Sequence, residues 1–185
     1  MVINWIPFFS QTGSEIYNIC ERLDIEPLFI ITNTRPSNKR KINDSLLTKY
    51  GHIIHYVPNY PTVDDYNRVL HNVTNPLITL HGWLRIIPKD ICNIYTILNG
   101  HPAPLHIYPE LKGKDKQEDQ YTYNNIYKEI GTVIHRVIPE LDEGNIILSN
   151  NRVNTLSSVD DAYYTLHNMS FDLWCTFFKV YLLKQ

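Results

Sequence analysis

Short runs of apolar residues recur through the first hundred positions with almost no polar interruption: Val2–Phe9, Leu28–Thr32, Ile53–Val57, Pro76–Gly82 and Ile94–Asn99. Runs this short that do not alternate with polar residues read as strands covered on both faces. Between them, Ser14–Cys20, Ile42–Tyr50, Val63–Val73 and Lys89–Cys92 carry apolar residues at helical spacing. Strands of this kind, joined by helices, pair in parallel through crossovers. The expected fold is therefore α/β: a doubly wound, mostly parallel sheet of Rossmann type with helices on both faces. Ligands in such sheets sit beyond the carboxyl ends of the strands. That rule singles out Gln11–Glu15, Gly82–Ile87 and Asn99–Pro104. Thr12 or Ser14 is expected to cap the first helix.

The second half changes character. Leu111–Gln120 is polar and charged and reads as a surface loop, leading into a helix near Tyr123–Ile130. Gly131–Val137 alternates like a strand, Glu140–Gly144 is a turn, Asn145–Ser149 a further strand, and Val159–Leu183 a closing helix. At 185 residues, with 43% hydrophobic and 19% charged, a single domain spanning 1–185 with a sizeable core is expected. Lys and Arg number 17 against 19 Asp and Glu, for a net charge of −2. Such a balance gives no general field for a nucleic acid backbone or an anionic membrane. Cys20, Cys92 and Cys175 form no paired framework, and the first residues lack a basic, apolar leader, so a soluble cytoplasmic protein is expected. The basic run Asn38–Lys41 reads as a solvated loop. His52 and His55 have HxxH spacing but no third ligand in support, so no metal is expected.

The stretch that points to chemistry is Asn99-Gly100-His101-Pro102. Extended residues two apart face the same way, so an amide and an imidazole can converge on one spot. An amide N–H stabilises an oxyanion, and an imidazole supplies or removes a proton, which together suit carbonyl chemistry. A histidine at a strand end is also a common surface residue, so spacing alone leaves both uses open.

Four motifs in order resemble the folate-dependent formyltransferases. Leu80-His81-Gly82-Trp83-Leu84-Arg85-Ile86-Ile87 is similar to that family's Ala-Gly-Phe-Met-Arg-Ile-Leu segment, and Asn99-Gly100-His101-Pro102 to its Asn-Ile-His-Pro. Gly131-Thr132-Val133-Ile134-His135 matches Gly-Thr-Ser-Val-His, and Glu140-Leu141-Asp142-Glu143-Gly144-Asn145-Ile146-Ile147-Leu148 matches Glu-Leu-Asp-Gly-Gly-Pro-Val-Ile-Leu. The resemblance implies a formyltransferase-like fold that uses 10-formyltetrahydrofolate as cosubstrate, without a metal. It implies a small-molecule amine as acceptor: phosphoribosylglycinamide, an amino sugar or a modified nucleotide. A homodimer is compatible with it. Catalysis would fall to Asn99, His101 and Asp142, the first two on the oxyanion and the last orienting His101 and collecting the amine proton. Folate would meet Leu84, Arg85, Ile86, Ile87, Ile138, Glu140, Leu141 and Asp142. The acceptor would meet Gly13, Ser14, Glu15 and His135. A non-catalytic folate-binding relative is the rival, against which the intact Asn99, His101 and Asp142 speak.

The departures gather on the acceptor side. The family's first loop offers a Gly-x-Gly-Ser-Asn pattern to a ribose phosphate at a helix N-terminus, where this chain has Gln11-Thr12-Gly13-Ser14-Glu15. Glu15 in the first turn repels a phosphate if it faces the site, and merely stabilises the helix if it faces solvent. Ser170, with His167 nearby, stands where the family places a glutamate, and Tyr108-Pro109-Glu110 replaces Tyr-Pro-Gly.

Overall fold

The computed structural model describes residues 3–35, 37 and 42–182. The basic run 38–41, Pro36, the first two residues and the last three lie outside the described residues. The chain forms two compact units, residues 1–99 with 137–139, and residues 100–136 with 140–185.

In the first unit the parallel strands run in the order β3-β2-β1-β4-β5. They are β1 (Asn4–Phe9), β2 (Ile30–Thr32), β3 (Ile54–Tyr56), β4 (Pro76–Leu80) and β5 (Thr96–His101), the last crossing into the second unit at Gly100. Every residue of β1 after Asn4 is buried, as a strand flanked by β2 and β4 requires. The helices are α1 (Ser14–Leu23), α2 (Asp44–Tyr50), α3 (Val63–Leu70) and α4 (Lys89–Ile94). The chain winds from β1 outward to β3, then returns to the other side of β1 for β4 and β5. Right-handed crossovers in opposite directions put helices on opposite faces, which is the doubly wound, mostly parallel arrangement expected. The reversal creates a switch point between β1 and β4. Ile6, Phe8, Ile31, Tyr66, Leu70, Ile78 and Ile97 form the core on one side of this sheet. Thr62 and Asp65 close a reciprocal capping box on α3. At α1 the N-cap is Gly13, not Thr12 or Ser14: a side chain there would sit 2.6 Å from Leu46 Cδ2, and φ is +70°. Ile94 ends α4 instead of starting a strand, because the Tyr95 amide still bonds Ile91 O at 3.1 Å.

The second unit pairs β6 (Glu129–Arg136) with β7 (Ile146–Val153) antiparallel and adds α5 (Lys116–Thr122) and α6 (Val159–Tyr181). The helix expected at Tyr123–Ile130 is not formed; α5 lies earlier, inside the charged run. Its anchor is Gln120, fully buried, whose amide donates to Pro102 O at 2.7 Å and accepts from the Gly131 amide at 3.3 Å. A buried glutamine leaves no mark on an apolar pattern. β7 also outruns the expected Asn145–Ser149 by four residues, with polar Asn150–Arg152 along its exposed length. Ile130, Leu156, Ala162, Leu166 and Met169 make one core cluster of this unit, and Ala103, Leu105, Leu111 and Val133 another.

Candidate active site

In the second unit, the end of β5, the end of β6 and the turn that follows bring three titratable side chains together. His101 Nδ1 lies 3.4 Å from Asp142 Oδ2, and His135 Nε2 lies 3.5 Å from Asp142 Oδ1. All three are buried, with side-chain exposures of 5%, 7% and 3% for His101, Asp142 and His135. The outer nitrogen of each ring is committed to a backbone carbonyl. His101 Nε2 donates to Leu111 O at 2.7 Å, and His135 Nδ1 donates to Arg136 O at 3.0 Å. A carbonyl only accepts, so these partners assign the ring protons to the outer nitrogens. When the imidazoles are uncharged, their bare inner nitrogens both face one carboxylate. Three acceptors then converge, and the set gains from one further proton.

The loop between β5 and α5 holds this set from above. Leu111 is 1% exposed in the cluster with Ala103, Leu105 and Val133, which fixes its carbonyl over His101. Two residues on, the Gly113 amide donates to Asp142 Oδ2 at 2.9 Å. Gly113 adopts φ +86°, a left-handed value that a side chain disfavours. Lys112 pairs with Glu143 at 2.9 Å, tying the same loop to the Asp142 turn. Asp142 itself has φ +54°, tolerated by aspartate in turns. Gly144 passes so close to Arg136 that a Cβ would overlap its carbonyl.

Burial pushes the His101 pKa below its ordinary value, outweighing the opposing pull of the Asp142 charge and the Leu111 carbonyl. Burial also works to raise the Asp142 carboxyl. The His135 contact, the His101 ring and the Gly113 amide together outweigh it and hold Asp142 below the usual carboxylate range. The site therefore favours an ionised Asp142 beside a His101 that burial pushes toward its uncharged form. Such a set can receive a proton released nearby.

Asn99 stands two residues before His101 on β5, so both project to the same side of that strand. It is half-buried and paired in register with Leu80 of β4. The other expected site residues of the first unit are placed as follows. Ile87 is buried, while Ile86 is 66% exposed. Arg85 donates to Leu84 O at 2.7 Å and to the backbone and side chain of Asn59, and lies over the Tyr60 ring. Ile138 is half-buried. In the second unit, Glu140 and Leu141 are exposed, Leu141 by 51%. Ser170 is half-buried on α6.

At the switch point of the first unit, Ser14 is the first residue of α1, and Thr12 Oγ1 accepts its amide at 3.3 Å. Glu15 turns neither to solvent nor outward along the helix. Its Oε2 accepts from His81 Nδ1 at 2.7 Å, with the glutamate side chain 12% exposed and the histidine 1%. The signal for this contact was absent from the motifs, because 66 residues separate the partners. The Leu111 carbonyl and Gly113 amide also escape motif reading, since backbone groups carry no residue signature.

With this geometry in hand, the comparisons are consistent. The family described as formyl transferase matches residues 11–169. The chain belongs to that family. Phosphoribosylglycinamide formyltransferase of Dictyostelium discoideum is 30% identical over 105 residues, and the match covers 51% of this chain. The chain spans about half the length of that relative, 50%. Among solved structures, phosphoribosylglycinamide formyltransferase from Bacillus halodurans superposes with a TM-score of 0.79 at 19% identity, covering 98% of this chain and 97% of that one. The Streptococcus pneumoniae TIGR4 enzyme gives a TM-score of 0.76 at 21% identity, covering 97% and 98%. A sugar N-formyltransferase from a Shewanella species gives 0.71 at 15%, covering 96% of this chain and 68% of that one. These superpositions establish the shared fold. Among the described residues no helix is long and apolar enough to cross a membrane.

Proposed function

We propose that this protein transfers the formyl group of 10-formyltetrahydrofolate to the amine of a small molecule. The observation that carries the reading is the buried His101–Asp142–His135 set, with His101 two residues after Asn99 on β5. Family membership and the named relatives support it. The folate supplies a formyl group activated by its nitrogen. The residues present suit such a group: in the first unit Ile86 exposes an apolar side chain that a flat ring would cover.

The demands of the reaction match what the residues offer. As the amine nitrogen bonds to the formyl carbon, negative charge gathers on the former carbonyl oxygen. Asn99 donates an N–H to that oxygen, worth on the order of 3 kcal/mol for one well-placed donor. His101 joins it by exchanging the Leu111 carbonyl for the oxyanion as partner of Nε2–H. The attacking amine becomes cationic and must lose a proton before the intermediate collapses. Asp142 and the inner nitrogens of its two histidines take that proton and return it to the departing folate nitrogen, so the site ends as it began.

The test is incubation with 10-formyltetrahydrofolate and a panel of amines, following release of tetrahydrofolate and appearance of the formamide. Stoichiometric formamide, dependent on both reactants, is the expected result. A donor that is left intact by every amine, or hydrolysed to formate at the same rate without one, overturns the reading.

A further inference from the structure

We propose that Trp174 is a positioning residue: its indole bears on Gly100 and fixes the end of β5, so that the His101 ring stays aligned with Leu111 and Asp142. The consequence for catalysis rests on the formyl-transfer reading; the contact itself does not.

Gly100 is the residue of Asn99–Pro102 that departs from the Asn-Ile-His-Pro it resembles. Its backbone does not ask for glycine: it lies within β5, and the left-handed glycines are Gly13, Gly82 and Gly113. Space does. A Cβ at position 100 would sit 2.7 Å from Trp174 Nε1, 3.2 Å from Cε2 and 3.4 Å from Cζ2, inside ordinary contact distance. The indole thus occupies room that the family's isoleucine side chain would need, and α6 supplies the volume instead of the strand. Side chains alternate along a strand, so this contact lies on the face away from Asn99 and His101. Trp174 braces their strand from behind and touches no reactant.

The brace is stiff. Trp174 and Phe178 are fully buried, and Phe177 nearly so. Trp174 and Phe177 meet edge to face at 5.7 Å and 87°, as do Phe177 and Phe178 at 5.5 Å and 77°. Spacings of three and four residues put these rings on one face of α6. Glycine has the most backbone freedom of any residue. Without the indole, that slack would lie next to a ring whose nitrogens need fixed partners, Leu111 O at 2.7 Å and Asp142 Oδ2 at 3.4 Å. Misplacement by about 1 Å in such a site costs up to ~10²-fold in rate.

The test uses Gly100→Ala, Trp174→Leu and the two together in the full chain. The His101 imidazole is read by ¹⁵N NMR through a pH titration, without any formyl donor. His101 feels the charges of Asp142, His135 and Lys116, and none of these is altered. In Gly100→Ala the new methyl presses on the indole. The second protonation of His101 is expected to move at least ~0.5 pH unit up, toward the ordinary histidine value. The kcat of formyl transfer is expected to fall at least ~10-fold, with KM for the folate within about two-fold. Trp174→Leu removes the brace and is expected to move His101 the same way, so it reports even if Gly100→Ala folds poorly. In the Trp174→Leu background the added methyl meets no indole, and it is expected to leave His101 and kcat unchanged or to bring both back toward wild type. A wild-type His101 titration in folded Gly100→Ala or Trp174→Leu, or an equal loss from the methyl in both backgrounds, overturns the inference. Formyl transfer failing in every amine assay would leave the His101 titrations unchanged, so the two readings fail separately.

Discussion

Asn99→Ala is expected to lower the rate of formyl transfer by ~10²-fold or more while the affinity for a folate analogue stays within about a factor of two. The asymmetry follows from where the charge is. Before the amine attacks, the formyl oxygen carries only a carbonyl dipole, and water or a backbone amide serves it nearly as well as Asn99. In the transition state it carries most of a negative charge in a site of low dielectric, and the loss of one preorganised donor is felt in full. Asn99→Asp, similar in shape but without the N–H and with a like charge, is expected to be at least as slow. Single-turnover rates and analogue binding, measured on the same preparations, separate the two quantities. Turnover close to wild type in Asn99→Ala would remove this residue from the mechanism.

The second large effect concerns protons. Asp142→Asn is expected to lower transfer by ~10²- to 10³-fold, and adding His101→Ala to cost little more. The carboxylate is the element that both rings face, at 3.4 and 3.5 Å, and without it the inner nitrogens lose the charge that draws a proton to them. Residues that work as one unit fail as one unit, so the double variant should resemble the single. Losses that multiply would mean that His101 and Asp142 act independently.

Much of this was legible in the sequence, for definite reasons. Strands such as Ile6–Phe9 are apolar throughout because residues pointing to either face are buried, and that pattern survives in one dimension. Motif resemblance singled out Asn99, His101 and Asp142, and the structure brings His101 and Asp142 within 3.4 Å of each other. What escaped has a different physics. Gln120 anchors α5 through hydrogen bonds rather than apolar contact, so the charged run around it read as loop. The outer end of β7 faces solvent and bears asparagines, and only its ladder with β6 makes it a strand. The grip of Leu111 O and Gly113 N–H on the site belongs to the backbone. Glu15 left two orientations open, and the one adopted is set by His81, a partner distant in sequence and adjacent only once β4 lies beside β1.

The central claim is that the resting site holds an ionised Asp142 beside an uncharged His101 and can take up a proton. The most direct measurement is the ¹⁵N spectrum of the two imidazoles at neutral pH, with His101 identified by its loss in His101→Gln. The account predicts an uncharged His101 ring protonated on Nε2 alone, bonded to Leu111, that takes up a second proton only below the ordinary histidine range. A His101 ring already protonated on both nitrogens at pH 7 would contradict it, since a site that is full cannot accept the proton of the attacking amine.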